Sequence, residues 1–166
     1  MNPLDWSFRS AFAFAAAIAA ALLAYGYWLQ FFGGLEPCPL CIFQRVAFIG
    51  IFAVCLVAAI HGPRGKVRFA YGALAFVAAT TGAGVAIRHL WLQSLPADQV
   101  PACGPGLEYL MEAFPLAEVV RLAFTGSGEC AEIDWSFLGL SMPGWSLIWF
   151  ILFAIGAVWF GFRRRA

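Results

Sequence analysis

Pro37-Cys38-Pro39-Leu40-Cys41 runs straight into a long apolar segment, Ile42-Phe43-Gln44-Arg45 and onward to Ile60. A CxxC by itself serves as half a zinc site, as a redox pair or as no site at all. Here the pair sits at the seam between a short polar turn and a run long enough to cross a bilayer. With two more cysteines in a later loop, that placement points to electrons passing between thiols and something in the membrane.

The rest of the chain supports a membrane setting. Hydrophobic residues make up 63% of the sequence and charged residues 11%, against roughly 45–50% and about 25% in soluble domains. The 166 residues suit one domain, and residues 1–166 are read as a single four-helix transmembrane domain. Four apolar stretches approach the roughly 20 residues that a spanning helix needs: about Phe12 to Trp28, Cys41 to Ile60, Phe69 to Ile87, and Trp145 to Phe162. The first is not read as a cleaved signal peptide. It lacks a small-residue cleavage site, and its polar head carries Asp5 beside Arg9. The fold class is an all-α membrane protein.

Charge sets the expected orientation. Arg9, Arg64, Lys66, Arg68, Arg163, Arg164 and Arg165 are seven of the ten basic residues, and all flank the same ends of the four stretches. Glu36, Asp98, Glu108, Glu112, Glu118, Glu129, Glu132 and Asp134, eight of the nine acids, fall in the other connections. By the positive-inside rule the basic face is cytoplasmic. Both termini then lie inside, as four crossings require.

The outer connections differ in length. The first, from about Leu29 to Leu40, is short; the second, from about Arg88 to Gly144, is long and holds Cys103 and Cys130. Long connections of this kind are usually functional. Between Gly106 and Thr125 the pattern is partly helical, with Leu116, Val119, Val120 and Ala123 opposing Glu118 and Arg121. Pro115 must break or start a helix there. Periodicity is compatible with an interfacial helix lying on the membrane and equally with a short helix packed on the bundle's end.

Four of the five cysteines therefore lie on the outer, oxidising side, where disulfides persist. The simplest pairing joins Cys38 to Cys41 and Cys103 to Cys130. A zinc site competes, but it predicts a second CxxC or histidines at ligand spacing, whereas 26 residues separate Cys103 from Cys130. No metal is expected, and nothing points to nucleic acid. A Cys103–Cys130 bond has a purely structural use, closing a loop for about 3–4 kcal/mol. The ring closed by Cys38 and Cys41 is too small for that and better suits reversible oxidation. Cys55, among Ile51, Phe52, Val54 and Leu56, reads as a small hydrophobe.

Local physics around the CxxC favours reactive sulfur. With Pro39 in the first turn of the second helix, its missing N–H costs nothing. Cys38 then stands near the N-cap and Cys41 within the first turn, at the positive end of the helix dipole, which stabilises an anion. Arg45 follows Cys41 by four residues and shares its helical face. Its guanidinium is read as a partner for the thiolate and for a quinone carbonyl or a lipid phosphate, against the alternative of a snorkelling anchor. Arg88 and His89 close the third stretch at the same level, beside Trp91. They form an ordinary polar boundary, or His89 faces the pocket of Arg45 and orients a polar head group.

The run Cys38-Pro39-Leu40-Cys41-Ile42-Phe43-Gln44-Arg45 resembles the active-site entry of the DsbB family of bacterial inner-membrane disulfide oxidoreductases. So do Gly128-Glu129-Cys130-Ala131-Glu132 and the run from Trp135 to Pro143. The resemblance spans the first crossing to the fourth. Gln44 departs from it, since these proteins often carry an acid before the arginine. The resemblance implies a four-helix bundle that reoxidises a soluble periplasmic DsbA-like thiol oxidase and passes the electrons to ubiquinone, with menaquinone as the anaerobic acceptor. It further implies that Cys103 meets the partner, that Cys130 exchanges with Cys38, and that Cys41 faces the quinone, near Arg45 and His89. The competing readings are a paralogue with another partner, a vitamin K epoxide reductase-like enzyme, and a membrane scaffold with structural disulfides. Helix interiors almost free of charge argue against a conducting pore.

Overall fold

The computed structural model describes residues 7–96, 98–100, 107–126 and 128–162. Cys103 and Arg163 to Arg165 lie outside the described residues. Helix α1 is Phe8–Gly33, α2 Pro39–His61, α3 Val67–Gln93, α4 Leu107–Ala113, α5 Leu116–Thr125 and α6 Met142–Phe162. Of these, α1, α2, α3 and α6 are long and apolar enough to cross a membrane. At 1.5 Å per residue they run roughly 32–40 Å, matching the bilayer. The chain is a multi-pass membrane protein.

Caps and tertiary contacts carry α1, α2 and α3 beyond their apolar stretches. Ser7 caps α1, accepting from Ser10 N at 3.2 Å, which starts the helix four residues before Phe12. Gly34 and Gly62, both left-handed, stop α1 and α2. Helix α3 continues past Ile87 to Gln93 because its polar last turns find partners: Gln93 donates to the Glu132 carbonyl at 3.4 Å and accepts from Ser141 Oγ at 2.7 Å. Arg88 and His89 are therefore helical residues and not loop.

The four spanning helices pack in sequence, α1 on α2, α2 on α3 and α3 on α6, while α1 and α6 barely touch. Small residues permit close packing where no hydrophobic effect drives it: Ala11, Ala16 and Ala19 are buried on α1, as are Ala58 and Ala59 on α2. Gly72 of α3 and Gly161 of α6 cross backbone to backbone; a Cβ added at Gly72 would stand 2.9 Å from Gly161 Cα. At mid-depth Phe150 is fully buried and stacks on Phe48 with centroids 4.2 Å apart.

At one end Arg9 donates to the Ala59 carbonyl at 3.0 Å and Arg68 to the Phe160 carbonyl at 3.2 Å. Both cations thus sit at helix C-termini, where the dipole favours them. The CxxC and the long connection occupy the other end.

In that connection Pro115 both ends α4 and starts α5, its carbonyl accepting from Glu118 N at 2.9 Å and Val119 N at 3.1 Å. Val119 is buried but Val120 is exposed, so the apolar face is narrower than the sequence pattern suggests; the side chains of Leu116 and Ala123 lie outside the described set. Helix α5 is docked on the bundle. Phe124 packs against Phe43 at 5.9 Å, and Arg88 donates to the carbonyls of Phe124 and Thr125, both at 3.0 Å. A small hairpin, β1 Ser136–Phe137 with β2 Leu140–Ser141, adds to the all-α plan. Leu138 (φ 52°) and Gly139 (φ 79°) form its turn, with the two positive φ values of a tight hairpin.

Candidate active site

Proline at N1 and cysteine at the N-cap, with φ −64° and ψ 163°, set the geometry of the CxxC. Cys38 and Cys41 therefore project from one turn. Cys38 is buried, Cys41 is partly buried, and both are thiols. The structure thus holds the pair unbonded instead of joined, with the two sulfurs and a nitrogen of His89 all within 4.8 Å of one another. His89 Nε2 lies 3.8 Å from Cys38 Sγ.

His89 is brought there by the extra turns of α3 and held by α2. Gln44 Nε2 lies 3.1 Å from His89 Nδ1, and both side chains are buried, at 4% and 3% exposure. With the Gln44 amide nitrogen donating, Nδ1 accepts and the ring proton resides on Nε2, directed at the Cys38 sulfur.

Arg45 reaches the other way, toward α1. Its guanidinium donates to Gln30 Oε1 and to the Gly26 carbonyl, the latter at 3.2 Å, and lies 4.9 Å over the Tyr27 ring. Two hydrogen bonds leave further N–H donors on the fork.

Cys130 closes the buried side of the site. A single 3-10 turn, Gly128–Cys130, sets it against α3. It is fully buried in one cluster with Cys38, Leu40, Val85 and Leu92. Gly126 (φ 91°) makes the approach possible, since a Cβ there would stand 2.5 Å from Leu92.

Two cavities meet at Cys41. An outer one of about 630 Å³ is lined by Cys38, Cys41, Arg45, His89 and Gln93, with Glu36, Glu129, Glu132 and Asp134. An inner one of about 330 Å³ opens between α1 and α6 and is lined by Leu22, Leu23, Gln44, Arg45, Phe48, Trp145 and Trp149. Trp135 and Phe137 cover it, the hairpin being tied to α6 by the Trp145 indole donating to the Phe137 carbonyl at 3.0 Å. Cys41 and Arg45 line both cavities; Cys38 and His89 line only the outer one.

The site thus gathers Cys38, Cys41, Cys130, Arg45 and His89 at one end of the bundle. Arg88 is turned instead to α5 and to the ring of Trp91, 4.2 Å away. Cys55 is buried mid-bundle among apolar neighbours, apart from the other cysteines.

The sequence pattern described as Disulfide bond formation protein DsbB matches residues 8–160. The chain belongs to the DsbB family. It is 51% identical over 166 residues to Disulfide bond formation protein B of Xanthomonas campestris pv. campestris strain 8004, covering 99% of this chain and 96% of that protein. A protein of the same description in Hahella chejuensis is 54% identical over 147 residues, 88% of each chain. Another in Nitrosococcus oceani is 52% identical over 142 residues, 86% of this chain and 84% of its own. Membership in DsbB makes this a disulfide bond formation protein of the membrane, an oxidoreductase.

Gln30 and the hairpin aromatics Trp135 and Phe137 belong to the site without having been assigned to it from the sequence, where Gln44 was noted only as a departure beside Arg45. A glutamine inside an apolar span was the available signal for Gln44, because a buried polar group in a membrane helix needs a partner.

Proposed function

We propose that the chain is a thiol:quinone oxidoreductase of the bacterial inner membrane. It reoxidises a DsbA-like periplasmic thiol oxidase and passes the electrons to ubiquinone, or to menaquinone where that is the membrane's quinone. The observation that carries this reading is the position of Cys41. It is shared by an outer cavity with an acidic rim and an apolar cavity that opens between two spanning helices.

The relay follows from thiolate exchange. A partner thiolate attacks Cys103 of a Cys103–Cys130 disulfide, and the partner's second thiolate resolves the mixed disulfide, leaving Cys103 and Cys130 reduced. Cys130 attacks Cys38 of the Cys38–Cys41 disulfide and frees the Cys41 thiolate. Cys103 then attacks Cys130, restoring the loop disulfide and leaving Cys38 and Cys41 as a dithiol. The packing of Cys130 against Cys38 supports the middle step. His89 Nε2–H would steady the charge that develops on the Cys38 sulfur as it attacks or leaves.

The inner cavity suits a quinone head. Its volume falls in the range of small-molecule sites, its walls are aliphatic and aromatic, and the Arg45 fork stands at its polar end as donor to a carbonyl oxygen. As Cys38 and Cys41 re-form their disulfide they release two electrons and two protons, for which a quinone held there would be the acceptor. Trp135, Phe137 and Trp145 would keep water from the head. The basic residues at the opposite end support cytoplasmic termini and periplasmic cysteine loops.

The test uses purified protein, a reduced periplasmic DsbA-like dithiol and ubiquinone. Dithiol oxidation should be catalytic with quinone and stop after the enzyme's own disulfides are consumed without it. Cys41→Ser should abolish quinone reduction while Cys103–Cys130 still reacts with the partner. Full turnover by Cys41→Ser would refute the relay.

A further inference from the structure

We propose that Cys38, Cys41 and His89, while the two cysteines are thiols, form a binding site for a thiophilic divalent cation of the Zn²⁺ type. Three donor atoms of suitable kind, two sulfurs and an imidazole nitrogen, already lie within 4.8 Å of one another. In a tetrahedral zinc site, with Zn–S near 2.3 Å and Zn–N near 2.0–2.1 Å, neighbouring donors stand about 3.6–3.8 Å apart. His89 Nε2 and Cys38 Sγ are at 3.8 Å. The remaining pairs need to close by no more than about 1.2 Å to reach that spacing.

The surroundings fit the same occupant. Two thiolates offset the charge of the ion, and their softness selects zinc-like cations over magnesium or calcium. Arg45 lines the same cavity, but its guanidinium is hydrogen-bonded to Gln30 and Gly26 on α1. Glu129, Glu132 and Asp134 line the cavity leading to the sulfurs, an acidic approach that raises the local concentration of cations. That cavity leaves the fourth position to water or a carboxylate. Gln44 supplies the outer hydrogen bond that a metal-bound imidazole requires: once Nε2 binds the ion, Nδ1 carries the proton, and a rotated Gln44 amide presents its oxygen to it.

Binding releases two thiol protons and forms two sulfur–metal bonds. A Cys38–Cys41 disulfide offers no thiolate, so the site exists only in the reduced protein. If the relay proposed above operates, the cation competes with reoxidation by holding the dithiolate.

The test titrates Zn²⁺ against a chromophoric chelator with detergent-purified protein, first reduced and then oxidised with diamide, using neither quinone nor partner. Failure of the relay would therefore leave this result intact, and the reverse. One equivalent of Zn²⁺ should be held by the reduced chain and lost on oxidation. His89→Ala and Cys38→Ser should each weaken binding at least about tenfold, and Co²⁺ should give a thiolate charge-transfer band that Cys38→Ser removes. Cys55→Ser, and a Cys103→Ser, Cys130→Ser double variant, should bind as the parent does. Retention of the ion after oxidation, parental affinity in a folded His89→Ala, or loss in the double variant would each overturn the proposal. The oxidation arm needs no substitution and decides even where a variant fails to fold.

Discussion

Gln44 Nε2 stands 3.1 Å from His89 Nδ1, joining α2 to α3 through two buried side chains. With the Gln44 amide nitrogen donating to Nδ1, the opposite nitrogen offers its N–H to Cys38. Gln44→Leu should leave Nδ1 unpaired in the interior at a cost of about 1–3 kcal/mol. It should also free the ring to place its proton on Nδ1, leaving Nε2 as an acceptor. The measurement is alkylation of Cys38 in reduced protein, which should slow roughly tenfold, the equivalent of about 1.4 kcal/mol. A lowered melting temperature with unchanged alkylation would reduce Gln44 to a packing role.

Arg45 makes two hydrogen bonds to α1 and faces both cavities. Lysine cannot reproduce its fork. Arg45→Lys and Arg45→Ala should raise the KM for quinone by about tenfold or more, with the partner's KM unchanged; tenfold is about 1.4 kcal/mol of binding. An unaltered dependence of turnover on quinone concentration would make Arg45 a clamp on α1 and nothing more.

Gly72 and Gly161 let α3 and α6 cross at backbone contact. The added methyl of Gly72→Ala meets main chain, which cannot swing aside as a side chain would. Thermal unfolding in detergent should move down, by about 1–3 kcal/mol of overpacking. Because this crossing lies at the end away from Cys41, quinone dependence in the folded fraction should match the parent.

The four spans and the placement of Cys38 at a helix N-terminus were legible because apolar length and proline position are local signals. Three features were not. Helix α3 outlasts its apolar run because Gln93 and His89 find partners on other elements, and such pairings leave no mark on nearby sequence. The sequence put His89 at the level of Arg45, but it stands 51 positions from Cys38, so spacing along the chain could not set it against that sulfur. The hairpin at Leu138 and Gly139 has a leucine where left-handed backbone is unfavourable. Its stability comes from Trp145 and the packed aromatics, which only the tertiary fold supplies.

The sparse contact between α1 and α6 has a consequence for substrate choice. Below the inner cavity lies a second apolar one of about 280 Å³, lined by Ala11, Ala15, Ile18, Cys55 and Gly156 among others. Trp149 lines both, so the two form a slot along the α1–α6 seam. An isoprenoid tail leaving a head group beside Cys41 would follow that slot toward the bilayer centre. Ala15→Trp fills the lower cavity without touching Cys41 or Arg45. It should raise the KM for long-tailed ubiquinone by about tenfold while leaving a tail-less benzoquinone unaffected. Ala17→Trp, on the exposed face of the same helix, should change neither. Equal effects on both quinones would mean that Ala15→Trp distorts the head site, and no effect on either would mean that the tail leaves by another route.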